Sequence, residues 1–104
     1  MSRSPNSLRG ESRFSLGGRE FLLRPSFENL VAAEEEIGSL FALVERASEG
    51  SITLAEITAL IWHCIADDPR PPRDQIGSAV LQLGLVNATK PVREILAQVL
   101  QGKL

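Results

Sequence analysis

The sequence predicts a mainly α (α+β) fold, in which an N-terminal β-hairpin precedes a compact bundle of about five short helices. Three observations lead there. Two short runs, "ESRFSL" and "REFLL", flank Gly17-Gly18. From Pro25 onward, apolar residues recur at helical spacing. Gly or Pro punctuates that pattern where one helix must give way to the next. With 104 residues the chain is the length of one domain and can bury a core without disulfide or metal staples. The expected layout is a disordered leader over 1–10 and a single domain over 11–104, divided into hairpin (11–24) and helical bundle (26–102).

The leader, "MSRSPNSLRG", offers little to bury beyond Leu8. In the hairpin, Phe14 and Leu16 alternate with Arg13 and Ser15. Two glycines between such runs signal a primed turn, because glycine reaches positive φ without a steric penalty. Two strands alone are marginal, so one face must pack on the helices. Pro25 stops the second strand, and Ser26 caps a first helix over 27–37 that ends at Gly38. Ser39 caps a second helix, "LFALVERAS", that halts near Gly50. Thr53 and Glu56 form a T-x-x-E capping box opening a third helix that reaches about Ile65. After the rigid "DDPRPP", a fourth helix runs from near Pro72 to Gly84 with Ile76, Ala79, Val80 and Leu83 in its stripe. A fifth runs from about Thr89 to Gly102, with Pro91 in its first turn and Val92, Ile95, Leu96 and Val99 on one face. The third helix differs from the rest. At ~100° per residue, Leu54, Ile57, Leu60, Ile61, Trp62, Cys64 and Ile65 cover more than half its circumference, which makes it the central helix.

Composition excludes several function classes. The chain is 43% hydrophobic and 23% charged, as in a soluble globular protein, and no apolar run approaches the ~20 residues of a membrane helix. One cysteine, Cys64, permits no internal disulfide, and the N-terminus lacks the apolar core of a secretory signal; both point to a cytosolic protein. Tyr is absent, and basic residues are scattered in a chain of pI near 5.4, which argues against nucleic acid. The formal charge of −2 conceals a segregation: residues 1–25 carry +3, residues 26–68 carry −8, and residues 69–104 carry +3. The acidic middle is either a solvated face or a surface complementary to a basic partner.

"EEE", Glu34 to Glu36, invites a reading as a metal or catalytic cluster. Consecutive helical residues fan out by ~100° each, whereas a carboxylate pair needs i,i+3 or i,i+4 spacing. On a helix whose apolar face is Phe27, Leu30, Val31 and Ile37, Glu34 falls in the middle, Glu35 at an edge and Glu36 away from it. A carboxylate on an apolar face needs a partner. Glu34 therefore either reaches the second helix's N-terminus near Ser39 and Leu40, or Arg46, or else lines a groove and meets a binding partner. His63 and Cys64 are adjacent and so ~100° apart, which rules out a Cys-His pair. Cys64 reads as a small buried hydrophobe, His63 as an exposed residue on the opposite side. One His and one Cys make no zinc set, and no Walker, G-x-S-x-G or H-E-x-x-H motif occurs. No catalytic residue, metal site or cofactor is expected. Trp62 at the edge of the third helix's arc, with Leu40 and Phe41 on the second, reads either as core packing or as the rim of a groove for an amphipathic helix. Glu34, Leu40, Phe41 and Trp62 are thus the candidate partner-binding residues, and Gly17, Gly18 and Gly38 the structural turns. The oligomeric state stays open.

The order of features also carries a resemblance. An "RG" start, a strand, "GG", a second strand, "L..AEEEIG.SLFALVER", "ITLAEITALIWHCI", an "LGL" step and a final "LQGKL" follow one another from about Leu8 to Gly102. In this the chain resembles the small gene transfer agent and phage tail proteins described as tail assembly chaperones or tail-tube-associated components. The most specific element is a glutamate four residues before a glycine, then Ser-Leu: Glu34, Gly38, Ser39 and Leu40. Where relatives carry a glycine-rich segment after the third helix, this chain has "IADDPRPPRD". The resemblance implies a non-enzymatic tail assembly protein, a chaperone that binds the tape-measure protein in the bacterial cytoplasm before the tube polymerises. The alternative it leaves is a structural tail component retained in the particle, with the tube protein as partner. Neither nucleic acid nor membrane is implied.

Overall fold

A computed structural model describes residues 12–16 and 18–101. The expected leader, Gly17 and Gly102 lie outside the described residues. Strands β1 (Ser12–Leu16) and β2 (Arg19–Leu23) form an antiparallel hairpin, and helices α1 (Phe27–Ile37), α2 (Leu40–Ser48), α3 (Leu54–Cys64), α4 (Arg73–Leu83) and α5 (Leu85–Gln101) follow. The protein is mainly α, as its sequence predicts.

Leu16 pairs with Arg19 and Phe14 with Phe21, and Gly18, just before β2, adopts φ +81°. Phe14, Phe21 and Leu23 are buried against the helices. That supplies the apolar cover a two-stranded sheet lacks, each phenylalanine contributing about 1.5–3 kcal/mol. The outer edge of β2 is occupied as well. Leu22 N–H donates to Asp67 Oδ1 at 2.9 Å, and Leu22 C=O accepts from Ala66 N–H at 2.8 Å. Leu22 thus turns its backbone groups away from β1. By the antiparallel alternation Ser15, two residues nearer the turn than Leu22's partner Arg13, also points its groups outward, while Phe14 and Phe21 exchange both of theirs.

Side-chain caps set the helix starts. Ser26 Oγ accepts from Asn29 N–H, and Ser39 Oγ accepts from Ala42 N–H, both at 3.2 Å. Thr53 and Glu56 close the expected capping box: Thr53 Oγ1 accepts from Glu56 N–H at 3.1 Å, and Glu56 Oε1 accepts from Thr53 N–H at 2.9 Å. Gly38, at φ 88° and ψ −168°, ends α1 in a backbone region essentially reserved for glycine. α3 lies at the centre of the bundle, packed on α1, α4 and α5, and its buried residues run from Ile57 to Ile61 and on through His63 and Cys64.

Two local expectations are corrected. α5 begins at Leu85, not near Thr89. Gly84 serves both helices: its N–H donates to Val80 C=O at 3.0 Å, and its C=O accepts from Ala88 N–H at 2.9 Å. With φ +94° it separates the two helices in one residue, so no linker is needed. Pro91 consequently sits inside α5, buried against its neighbours, and supplies no N–H to the Asn87 carbonyl one turn back. The second correction concerns the orientation of α1. Ala33 is its buried residue, with Leu30 and Ile37 beside it, and these three fall within roughly 60° of arc. Phe27 and Val31, expected on the inner face, lie about a quarter turn away in solvent, and Phe27 is 85% exposed. Small Ala33 lets α1 approach α3 closely. Polar anchors on the helix's other flank, Asn29 and Glu36, hold it in that rotation.

Candidate protein-interaction surface

The three consecutive glutamates go three separate ways. Glu34 Oε2 accepts from Leu40 N–H at 3.0 Å, so α1 caps the N-terminus of α2, where free N–H groups and the helix dipole favour an anion. This is one of the two roles open to Glu34 from sequence; Arg46, the other internal partner considered, is engaged elsewhere. Glu36 accepts from His63 Nε2 at 2.8 Å and from Arg73 Nη1 and Nη2 at 2.6 and 2.9 Å. Glu35 is exposed and makes no ion pair with any described residue.

Glu36 therefore joins α1, α3 and α4. The Arg73 guanidinium, followed by His63, holds its carboxyl down at about 2. His63, expected at the surface, is instead 9% exposed: α1 covers that side of α3 and brings Glu36 to meet the ring. His63 Nδ1 and Arg73 Nε have no hydrogen-bond partner among the described residues. Arg73 lies over the Trp62 ring at 4.5 Å and Arg70 at 5.0 Å, within cation–π range. Trp62 Nε1–H donates to Pro71 C=O at 2.8 Å. Arg70 donates to the carbonyls of Ile65 and His63 and to Asn29 Oδ1. Trp62 is thus half-buried beneath two arginines, where it fastens the 65–72 loop. A second pair ties α2 to α3: Arg46 meets both Glu56 oxygens, Nη1 to Oε1 at 2.8 Å, and with the Thr53 cap holds that carboxyl at about 2. Burial pushes the Cys64 thiol up to about 12, in keeping with a packing residue.

Sequence reasoning found the Glu56 cap and the Glu34 contact but missed the Glu36–His63–Arg73 and Arg46–Glu56 pairings. The available signal was the two arginines of "DDPRPPRD" set opposite a −8 middle segment. The structure engages Glu56, Glu36 and Asp67 internally, and Glu28, Glu35, Glu45 and Glu49 stay exposed without an ion pair to any described residue.

Of the four candidate partner residues, Leu40 is in the core and Trp62 is covered as described; Glu34 and Phe41 are exposed. Phe41 is 65% exposed. Phe27, Val31 and Glu34 share one stripe of α1, within roughly 60° of arc. Phe41 follows Leu40, whose N–H Glu34 caps, in the first turn of α2. Along the chain, α1 and the start of α2 thus expose an α1–α2 strip of Phe27, Val31, Glu34 and Phe41, with Glu28 and Glu35 on one side of α1 and Glu45 one turn beyond Phe41. A second exposed apolar region lies at the α4–α5 junction, where Leu81, Leu85 and Val86 face solvent. It borders a groove of about 500 Å³ whose floor includes Ile52, Ile57 and Val92.

Among the described residues, no group of three His, Cys, Asp or Glu side chains is placed to hold a metal ion, and no helix is long and apolar enough to cross a membrane. No curated protein and no solved structure matches the chain significantly. A family model described as phage tail tube protein, GTA-gp10, matches residues 9–102. That match takes in every described element, from the hairpin to the last turn of α5. The chain belongs to this family of gene transfer agent and phage tail proteins.

Proposed function

We propose that the chain is a non-enzymatic tail assembly protein that binds an amphipathic helix of another tail protein on its α1–α2 strip, acting as a chaperone for the tape-measure protein. The observation that carries this reading is the pair of exposed aromatics, Phe27 and Phe41, on helices whose exposed Glu28, Glu35 and Glu45 have no ion pair among the described residues. Single exposed apolar residues are ordinary, but exposed aromatics on helix faces are the anchors that helix recognition uses. An unsheathed tape-measure protein exposes apolar helical stripes that need cover. Tube subunits must later displace that cover, so modest sites repeated along a long partner suit the task. The work would be done in the bacterial cytoplasm.

A second reading, a structural component kept in the particle, is favoured by the family's description as a tube protein and by β1, beside which no third strand lies among the described residues. Ser15→Pro tests it: the change removes an outward-facing N–H without touching the Phe14–Phe21 pair. Under the edge-pairing reading it stops incorporation into particles while helix content is kept; normal incorporation removes that reading. The chaperone reading is tested by affinity capture of the tagged chain from particle-producing cells, with mass spectrometry. Tape-measure protein with little tube protein supports it. Stoichiometric retention of the chain in purified particles overturns it in favour of the structural role.

A further inference from the structure

The α1–α2 strip has a counterpart on the same molecule. Along α5, Val86, Arg93 and Leu100 recur every seven residues and so share one line of the helix, with Lys90 and Ala97 beside it; all five are exposed. Val86 is 82% exposed. Arg93 donates to Thr89 Oγ1 but meets no carboxylate among the described residues. From Val86 to Leu100 this stripe is roughly 21 Å long. α1, eleven residues long, and the start of α2 expose apolar side chains at Phe27, Val31 and Phe41 and carboxylates at Glu28, Glu35 and Glu45. One face pairs two cations with apolar side chains and has Glu94 at its edge; the other sets exposed apolar side chains beside carboxylates.

We infer that the α5 stripe of one copy seats on the α1–α2 strip of a second copy, giving head-to-tail self-association of the free protein. Lys90 and Arg93 meet Glu28 and Glu35, while the apolar side chains of the α5 stripe pack on Phe27. The two faces are different surfaces, so the contact is heterologous: each bound copy leaves one face of each kind open, and chains or closed rings follow. The inference shares the α1–α2 strip with the tail-protein reading. A helix from a tail protein displaces α5 of the neighbouring copy, and self-association holds the strip covered until then. It is measured on the purified chain alone, so its failure leaves the tail reading standing.

The test is sedimentation velocity of the full chain from about 5 to 500 μM, the range in which weak contacts of this kind populate. Association that grows with concentration, and weakens roughly tenfold between low and high salt, is expected. Glu28→Lys with Glu35→Lys gives a chain whose two faces are both cationic; Lys90→Glu with Arg93→Glu gives one whose faces are both anionic. Each variant alone is expected to be monomeric, and an equimolar mixture to associate again, because each supplies the face the other lacks. All four positions are exposed, and circular dichroism checks that the fold is retained. If a variant unfolds, the salt dependence of the wild-type chain still decides the matter. A wild-type monomer across the whole range, or variants that associate undiminished and without rescue on mixing, overturns the inference.

Discussion

Glu36 on α1 and His63 on α3 meet at 2.8 Å, and Arg73 of α4 closes on the same carboxylate from the other side. One exposed glutamate thereby fixes the rotation of α1, and with it which residues of α1 reach solvent. Replacing Glu36 by Ala is expected to lower stability by about 1 kcal/mol, a modest figure because the carboxylate is 41% exposed and screened. It should also loosen α1, read as faster amide exchange at Leu30 and Ala33. Unchanged exchange there would show that apolar packing alone sets the rotation.

Acid should expose both clamps. The carboxyls of Glu36 and Glu56 are held at about 2, below the ordinary value of 4.5, by Arg73 and Arg46 respectively. A depressed carboxyl stabilises the fold fully above its unfolded value and loses that contribution as pH falls through the folded one. Stability is therefore expected to be level above about pH 5 and to decline from there towards pH 2. Denaturant titrations of the wild type and of the Glu36→Gln, Glu56→Gln double variant check this: the variant should show a shallower decline. Identical slopes would mean that other carboxylates govern the acid limb.

Glu34 distinguishes a structural from a binding role. Its carboxylate caps α2 through Leu40 N–H, so Glu34→Ala is expected to cost roughly 0.5–2 kcal/mol. Glu34→Gln keeps an acceptor and should recover part of that loss. If tail-protein capture falls in step with stability across the two variants, Glu34 acts by positioning Phe41. A loss of capture in Glu34→Gln at full stability would instead mean that a partner touches the charge.

Gly38 permits a cleaner forecast. A Cβ there would meet no atom within 4 Å, so the cost of Gly38→Ala is backbone strain alone. With φ 88° and ψ −168° that strain is about 1–3 kcal/mol, readable as a lowered midpoint in urea. An unchanged midpoint would show that the α1–α2 turn relaxes into another conformation.

What the sequence made legible was local chemistry. The hairpin with Gly18 in its turn, the Ser26, Ser39 and Thr53 caps and the apolar girth of α3 each follow from a few neighbouring residues. The rest depended on pairings between segments far apart. α1 offers two overlapping apolar arcs, and Phe27 and Val31 outweigh Ala33 on any hydropathy scale; what turns Ala33 inward is Glu36 finding His63 and Arg73 on other helices. The same contact explains His63, which looks like a surface residue only while α1 is left out. Gly84 shows a subtler limit. One residue ending one helix and starting the next leaves no polar linker to read, so Pro91 looks like a first-turn proline and is an interior one. Of the surface, the acidic middle was visible as a count. Its division into clamped and unpaired carboxylates required the fold.

The most direct test of the central claim is capture of tail proteins by the Phe27→Asp, Phe41→Asp double variant beside the wild type, from particle-producing cells. Both side chains are exposed, so the fold should survive, as circular dichroism will verify. The account predicts that tail proteins recovered with the wild type are lost with the variant and that tails fail to form. Recovery of the same tail proteins in the same amounts, by a folded variant, would contradict it.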